Sequence, residues 1–401
     1  MQKIMAVNAG SSSLKFQLFE MPSETVLAKG LIERIGLKDS VISIKTKEGK
    51  KHEQTLDLAD HDQAVKMILE FLISLDVVKS LDEITGTGHR VVHGGETFAS
   101  SALVTEEVLK EIDKLAAFAP LHNKANATGI RSFQEAIPTA TTVAVFDTAF
   151  HQTMPETSFL YSIPFRYYKE HGIRKYGFHG TSHNYISKET ATFMKQDVKD
   201  LRIISCHIGN GASICAIKDG KSLDTSMGFT PLEGLTMGTR SGNLDPAVVP
   251  YLMEKENLTA AEVIDVFNKQ SGLLGISELS SDLRDVTTAA QEGVHQSELA
   301  LSIFIKRIKE TIGAYAVEMG GVDAIVFTAG VGENSAVVRS GAIEGLGFMG
   351  VELDEALNQS NENRDSARSI STDASKVQVL IIPTDEEVEI ARDVVTVQNE
   401  K

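Results

Sequence analysis

The sequence has 401 residues, more than one hydrophobic core usually organises, so its length predicts two domains. Its formal net charge of -16 argues against binding to nucleic acid or to an anionic membrane, because both need a basic surface. No apolar run approaches the roughly 18 residues of a membrane span, and the start of the chain lacks the long apolar stretch of a secretory signal, so we expect a cytoplasmic protein.

The first half of the chain opens with two strands joined by a tight turn. Strands are predicted at residues 3–8 and 14–19, with a Gly/Ser turn at 10–13 between them. The elements that follow are a strand near 41–45, a helix over 62–78, the strand ITGTGHRVVHGG, a helix over 105–118 and a buried strand ending at Asp147. The same plan starts again after Pro155, which places a boundary near residue 150.

The second half repeats this plan with the hairpin LRIISCHIGNGASICAIKDGKSL. Cys206 and Cys215 lie in its two strands, where we expect buried thiols and no disulfide. Later elements are a helix capped by Thr259 and Glu262, a long helix over 296–319, the buried strand DAIVFTAG, and the strand VQVLIIPT followed by a helix. The repetition predicts a duplicated α/β unit that faces itself across a cleft.

Both hairpin turns are rich in glycine and small polar residues, so their backbone N–H groups can converge on a phosphate. Neither turn is a P-loop, because the chain returns as a strand and does not open a helix. A third glycine cluster, FTAGVGENS, lies between a buried strand and a helix, where a nucleotide can bind. Ordinary structural turns stay open as the alternative for all three.

An anionic ligand of so acidic a protein needs local positive charge. Arg90, Arg240 and Arg284 lie beside short glycine stretches or acidic neighbours, and a guanidinium suits a carboxylate or a phosphoryl group. Surface ion pairs are the alternative, with Asp282 as the partner of Arg284.

Histidines recur four residues apart in HRVVH and HGTSH, a spacing that invites a zinc hypothesis. We discount it, because the first pair lies on a strand and the second lacks the glutamate of HExxH. His179 is better interpreted as a hydrogen-bond donor to developing negative charge, or as a structural histidine.

Two acidic positions are further candidates. Asp147 ends a buried strand, where a carboxylate can also serve only to cap a loop. Near the C-terminus we predict Thr384 as the N-cap and Glu387 as its capping-box partner, which leaves Glu386 free to approach Mg²⁺ through water.

Nine segments in the same order resemble the acetate kinase family: VNAGSSSLK, HRVVHGGE, APLHN, FDTAFHQTMPE, YGFHGTSH, IISCHIGNGASICAIKDG, EGLTMGTRSG, TAGVGENS and TDEE. The resemblance implies an actin-like, ribonuclease H-like α/β fold of two domains with an interdomain cleft, and a homodimer. It implies an N-terminal domain of residues 1–150 joined by the helix 385–401, and a C-terminal domain of residues 151–384 that carries most of the nucleotide site.

The same resemblance implies reversible, direct in-line transfer of a phosphoryl group from ATP to acetate, giving ADP and acetyl phosphate, with Mg²⁺ or alternatively Mn²⁺. The catalytic residues it implies are Asp147, His179 and Arg240. The acetate-binding residues it implies are Arg90, Val92, Leu121, Phe178 and Pro231. The nucleotide-binding residues it implies are Ser11, Ser12, Ser13, Lys15, His207, Gly209, Asn210, Gly211, Asp282, Arg284, Gly330, Gly332, Glu333 and Asn334. Asn8 and Glu386 are the implied metal-binding residues.

Three residues depart from the family pattern: Lys124 replaces a proline, Asn243 an aspartate and Leu283 a phenylalanine. Two other functions stay open, a propionate or broader short-chain acyl kinase of the same fold, and a non-catalytic actin-like nucleotide sensor.

Overall fold

The structure is a computed structural model, and it describes residues 1–119 and 122–400. The chain divides into two compact units, Met1–Phe150 with the C-terminal helix, and His151–Thr384. Each unit is built on one β-sheet.

The sheet of the first unit combines a long antiparallel part with a short parallel part. Its strands are β1 (Gln2–Ala9), β2 (Ser13–Met21), β3 (Thr25–Glu33), β4 (Ser40–Thr46), β5 (Lys51–Leu56), β6 (Ile84–Val91), β7 (Ala102–Leu103) and β8 (Thr141–Phe146). The strand order is β5-β4-β3-β2-β1-β6-β8-β7, and β1, β6 and β8 are parallel. The carboxyl ends of these three strands therefore meet at one edge of the sheet.

Helices α1 (His61–Ser74), α2 (Glu106–Leu115) and α3 (Asn123–Ala136) complete the N-terminal part of this unit. Helix α1 begins at the N-cap Asp60, whose side chain accepts a hydrogen bond from the Gln63 backbone N–H. Its apolar residues recur at helical spacing and form a buried stripe that joins the core of the sheet: Ala64, Val65, Ile68, Leu69 and Leu72.

The second unit has a sheet of its own. Its strands are β9 (Arg202–Ile208), β10 (Ala212–Lys218), β11 (Lys221–Thr225), β12 (Ala324–Thr328), β13 (Arg368–Ser369) and β14 (Gln378–Ile381). Its helices are α4 (Glu156–Phe159), α5 (Arg166–His171), α6 (Gly180–Met194), α7 (Val248–Glu256), α8 (Ala260–Lys269), α9 (Gly272–Ser277), α10 (Leu283–Gln291), α11 (His295–Glu318), α12 (Ala329–Asn334), α13 (Ala336–Ile343) and α14 (Glu355–Gln359). Short 3₁₀ turns lie at Leu81–Glu83, Ala149–Thr153, Val198–Asp200 and Leu346–Met349.

The two sheets share one topology, because β3-β2-β1-β6-β8 of the first corresponds to β11-β10-β9-β12-β14 of the second. In each, an antiparallel hairpin precedes two parallel strands. The prediction of a duplicated, actin-like α/β fold is confirmed.

The C-terminal helix α15 (Glu386–Asn399) returns to the first unit and packs against β1, β6 and β8. Two glycines of β6 allow this close approach. A Cβ on Gly88 would lie only 2.4 Å from Ile390 Cγ2, and one on Gly86 only 2.6 Å from Val394 Cγ1. The first residue of α15 is thereby held in the same unit as the carboxyl end of β6.

The predicted cap of this last helix was wrong. The N-cap is Asp385, which accepts a hydrogen bond from the Val388 backbone N–H at 2.9 Å. The hydroxyl of Thr384 instead bonds to Ser182 Oγ at 2.8 Å, and Glu387 forms an ion pair with Lys15, so neither residue is available for the predicted capping box. The box of Thr259 and Glu262 at α8 is confirmed.

The other differences are strands that the sequence did not indicate and a helix that is shorter than predicted. Strands β3 and β5 were not predicted, and α1 ends at Ser74, four residues before the predicted end at 78. Cys206 and Cys215 are buried free thiols, as predicted. Of the helices in the described residues, none is long and apolar enough to cross a membrane.

Candidate active site

Arg90 and Asp147 meet where two parallel strands of the first unit end. Arg90 is near the end of β6 and Asp147 directly follows β8. The guanidinium donates from Nε to Asp147 Oδ1 at 3.0 Å and from Nη2 to Oδ2 at 2.6 Å, a two-pronged ion pair. Burial lowers the pKa of Arg90, but the carboxylates of Asp147 and Glu386 more than offset this effect and raise the pKa above its usual value.

Two buried asparagines of α3, which sequence reasoning missed, fix the backbone at this edge. Asn126 donates from Nδ2 to the Ala9 carbonyl at 2.8 Å and accepts from the Val92 N–H at 3.2 Å, so it ties the ends of β1 and β6 together. Asn123 pairs in the same way with both backbone groups of His93. Asn123 lay inside the motif APLHN, whereas only the polar character of a buried helix face could have indicated Asn126.

Glu386 is the first residue of α15 and is partly buried. Its pKa is raised above the usual value: burial is the largest cause, the nearby Asp147 carboxylate adds to it, and Arg90 acts in the opposite direction. Asn8 is the next-to-last residue of β1 and is also partly buried. No group of three or more His, Cys, Asp or Glu side chains able to hold a metal occurs within residues 1–119 and 122–400.

The turn between β1 and β2 presents small, accessible side chains. Ser11 and Ser12 are exposed, and the Gly10 N–H donates to the Ser13 carbonyl at 2.8 Å. Lys15 leaves the turn on β2 and pairs with Glu387 at the start of α15.

His179 of the second unit directly precedes α6 and has a left-handed backbone conformation, with φ 56°. Such a conformation is uncommon for a residue other than glycine and often occurs at functional sites. The ring is partly exposed and stacks on His207, with ring centroids 4.2 Å apart. Its Nδ1 lies 2.8 Å from Ser213 Oγ.

Arg240 lies in the loop between β11 and α7, and its side chain contacts the turn between β9 and β10. A Cβ on Gly211 would be 3.2 Å from Arg240 Nη1. The same nitrogen donates to the Pro231 carbonyl at 3.3 Å. Within the described residues no carboxylate forms an ion pair with Arg240, and burial lowers its pKa. The structure thus presents a partly buried positive charge beside a glycine turn.

A cavity of about 950 Å³ lies within the second unit, next to this turn. Six of the predicted nucleotide-binding residues line it: Gly209, Asn210, Asp282, Arg284, Gly330 and Asn334. Leu283, Val331 and Val337 add an apolar wall, and Thr287, Thr288 and Ser335 add polar groups. The cavity can therefore accept a flat, partly polar ligand.

Asp282 and Arg284 are paired with each other at the rim of this cavity. Asp282 caps α10 and accepts from Arg284 Nε at 3.0 Å and Nη2 at 2.5 Å, and this hydrogen bonding lowers the pKa of Asp282 to about 2. Arg364, which sequence reasoning missed, also lines the cavity and donates to Asn334 Oδ1 at 2.7 Å. Arg364 lies in an exposed loop with no motif to indicate it.

The remaining predicted nucleotide residues of this unit are not part of the cavity wall. Gly332 is buried, and Glu333 Oε1 accepts from the Thr384 N–H at 3.1 Å, so Glu333 joins α12 to the segment after β14. The ring of His207 bonds to Ser182 Oγ at 2.8 Å.

The predicted acyl-pocket residues are divided between the units. Val92 is buried in the first unit, and Phe178 is buried in the second, where Pro231 is partly exposed. Leu121 lies outside the described residues.

The structure also shows the surroundings of the three departures. Lys124 is exposed in the first turn of α3. Asn243 accepts from the Gly234 N–H at 2.9 Å and so closes the loop that carries Arg240. Leu283 is buried in the cavity wall.

Comparisons with known proteins agree with this geometry. The profile of the Acetokinase family matches residues 3–392. The acetate kinase of Geobacillus sp. (strain WCH70) is 59% identical over 399 residues, covering 100% of both chains. The crystal structure of Porphyromonas gingivalis acetate kinase superposes with a TM-score of 0.95 at 45% identity and covers 99% of this chain and 100% of that one. The crystal structure of a propionate kinase from Francisella tularensis subsp. tularensis SCHU S4 has a TM-score of 0.91 at 40% identity, with 99% and 100% covered.

The shared topology, the glycine turn beside Arg240 and the large cavity define a phosphotransferase of the actin-like fold class. The chain belongs to the acetokinase family.

Proposed function

We propose that this protein is an acetate kinase that transfers the γ-phosphoryl group of ATP to acetate, reversibly, giving ADP and acetyl phosphate. The observation that carries the proposal is Arg240, a partly buried guanidinium that has no carboxylate partner among the described residues and lies against the turn at Gly211. A partly buried positive charge without a carboxylate partner can bind an anionic ligand. It would neutralise the transferring phosphoryl group.

The second unit is proposed to hold the nucleotide. The cavity at Asp282, Arg284, Gly330 and Asn334 would take the adenosine portion, and the turn at 209–211 would take the phosphates. Units Met1–Phe150, with α15, and His151–Thr384 would then be the two functional domains, with most of the nucleotide site in the second.

The first unit is proposed to hold acetate. Arg90 would bind its carboxylate, and Asp147 would orient the guanidinium through the ion pair it already forms. Val92 of the same unit would lie against the methyl group.

The transfer itself needs little covalent work by the protein. An oxygen of the acetate carboxylate attacks the γ-phosphorus while the bond to the β,γ-bridging oxygen breaks, and ADP leaves with that electron pair. Acetate is already deprotonated at neutral pH, so no general base is required. Arg240 and His179 would stabilise the negative charge on the equatorial phosphoryl oxygens.

Mg²⁺, or alternatively Mn²⁺, is proposed as the cofactor. Asn8 and Glu386 offer an amide and a carboxylate oxygen, which are hard ligands of the kind Mg²⁺ prefers, usually together with water and substrate phosphates. The donor set therefore fits the ion, which would neutralise phosphate charge when bound. Assembly as a homodimer and a cytoplasmic location are part of the same proposal.

A propionate kinase is the second candidate, because a solved propionate kinase has a TM-score of 0.91 with this chain. An apolar pocket separates substrates that differ by one methylene by only about 1 to 3 kcal/mol. We therefore expect propionate to be a slower substrate than acetate.

The test is to trap acyl phosphate with hydroxylamine, using ATP and Mg²⁺ with acetate, propionate or butyrate in parallel. Product that depends on both ATP and acetate, with acetate giving the highest kcat/KM, would support acetate kinase. A higher kcat/KM with propionate would replace the assignment by propionate kinase. Binding of ATP without product from any acid would leave a nucleotide sensor as the better description.

A further inference from the structure

A line of buried polar side chains runs from His179 into the second unit. Ser213 Oγ lies 2.8 Å from His179 Nδ1 and 2.8 Å from His183 Nε2. The other nitrogen of His183, Nδ1, lies 2.8 Å from Ser205 Oγ. Ser213, His183 and Ser205 are fully buried, whereas the ring of His179 is partly exposed.

Each serine hydroxyl and each neutral imidazole ring in this line has only one proton to donate in a hydrogen bond. A serine hydroxyl has one proton, so Ser213 donates to one imidazole ring and accepts from the other. Burial holds the pKa of His183 well below its usual value, so this ring is neutral at pH 7 and has one N–H and one acceptor nitrogen. The hydrogen bonds along the line can therefore all be donated in one of two directions, towards His179 or away from it.

Ser205 decides between the two directions. If His183 carried its proton on Nδ1, it would donate to Ser205, and the Ser205 hydroxyl proton would need another acceptor. Across the described parts of the chain, Ser205 Oγ has no polar contact other than His183. Leaving a buried donor unsatisfied costs about 1 to 3 kcal/mol. The favoured direction therefore has Ser205 donating to His183 Nδ1, His183 Nε2–H donating to Ser213, and Ser213 donating to His179 Nδ1.

We infer that Ser213 and His183 are positioning residues that hold His179 as the neutral tautomer protonated on Nε2. His179 can then donate from Nε2 to a phosphoryl oxygen without having to be charged. This inference rests on the proposed function, because it assigns the recipient of that hydrogen bond. It adds to that function a reason why His179 is ready to donate at neutral pH.

Other groups that face His179 are consistent with a fixed ring. His207, from β9, stacks on it at 4.2 Å and is itself bonded to Ser182 at 2.8 Å. His183 is another titratable neighbour, through Ser213. Stacking sets the plane of the ring, and the hydroxyl sets which nitrogen carries the proton.

The direct test is NMR of protein labelled with ¹⁵N-histidine at about pH 7.5, with the His179 signals assigned by their loss in His179→Gln. The expected result is a neutral His179 protonated on Nε2. A tautomer protonated on Nδ1, or an imidazolium, would overturn the inference, and this readout needs no variant of Ser213.

Kinetics of Ser213→Ala provide the second test. We expect kcat to fall on the order of tenfold, as for other losses of an outer-shell partner, with the KM values for ATP and acetate little changed. Its kcat relative to the unmodified protein should recover as the pH is lowered from about 8 to about 6, because an imidazolium carries a proton on both nitrogens. Ser213→Thr, which keeps the hydroxyl, should restore most of the activity.

Ser222→Ala is the matched control, since Ser222 is also buried and also lies 2.8 Å from a histidine nitrogen, Nδ1 of His151. It should leave the pH dependence of kcat unchanged. If His179→Gln is fully active, the proposed role of His179 fails. If His179→Gln is inactive while Ser213→Ala has unchanged kcat and pH dependence, only the positioning inference fails.

Discussion

Arg90 in the first unit and Arg240 in the second differ in how their charge is compensated. Arg90 is held by a two-pronged ion pair with Asp147, and its pKa is raised. Arg240 is partly buried, donates only to a carbonyl and a thioether in the described parts of the chain, and has a lowered pKa. Arg90 is therefore oriented before any ligand binds. Arg240 has no negatively charged partner in the described residues, and an anionic ligand can provide one.

The largest expected effect is therefore on Arg240. Arg240→Ala should reduce kcat by about 10² to 10³, as when one donor to a developing oxyanion is removed. Thermal stability should not fall, because the substitution removes a partly buried charge with no carboxylate partner. Hydroxamate formation and thermal unfolding measure the two effects. Arg307→Ala, at an exposed ion pair on α11, is the control and should leave kcat unchanged. Full activity of Arg240→Ala would remove the basis of the proposed function.

Breaking the ion pair between Arg90 and Asp147 in the first unit should, in contrast, reduce stability. Asp147→Asn keeps the shape of the side chain but removes the negative charge that is ion-paired with Arg90, so we expect both destabilisation and a lower kcat/KM for acetate. Removing one partner of a fully buried ion pair lowers the free energy of unfolding by about 3 to 5 kcal/mol. Because the Arg90 side chain is 22% exposed, we expect the lower part of that range or less. Urea unfolding and acetate kinetics are the measurements. If stability were lost equally in Asp147→Asn and Arg240→Ala, the contrast between the two arginines would be wrong.

Buried histidines extend the comparison between the units. His183 of the second unit has serine hydroxyls at both nitrogens, whereas His89 Nε2 of the first has no partner among the described residues, and the His89 ring lies against Phe133. Burial lowers the pKa of His89 to about 3. The unfolded chain therefore binds the proton more readily, and stability falls as the pH decreases from about 6.5 towards 3.

We expect His89→Leu to weaken this pH dependence. The free energy of unfolding of the unmodified protein should fall by about 1 to 2 kcal/mol more than that of the variant between pH 7.5 and pH 5. Urea unfolding at the two pH values measures the difference. His295→Leu, at an exposed histidine of α11, should behave like the unmodified protein. Parallel changes in all three proteins would show that His89 is not responsible.

The sequence allowed the duplicated topology to be predicted, because its strands are buried and have clear apolar patterns. The candidate site residues could be proposed from the sequence because most of them lie in these strands or in the turns that follow them. The strand β5 was missed because its residues are mostly exposed at a sheet edge and show no alternation of apolar residues. Asn126 and Ser213 were missed for another reason. They act through hydrogen bonds to residues distant in the chain, and a single polar residue in a helix or strand does not indicate its partner.

The smallest expected effect concerns Arg364 at the nucleotide cavity. Arg364 holds Asn334 by one hydrogen bond at 2.7 Å and is exposed, so it contributes to the shape of the cavity and does not provide a buried charge. One such bond is worth about 0.5 to 1.5 kcal/mol, so Arg364→Ala should raise the KM for ATP by about 2- to 10-fold. The kcat and the KM for acetate should stay the same, because the cavity wall belongs to the second unit alone. A fall in kcat comparable to that of Arg240→Ala would instead place Arg364 at the reacting phosphoryl group.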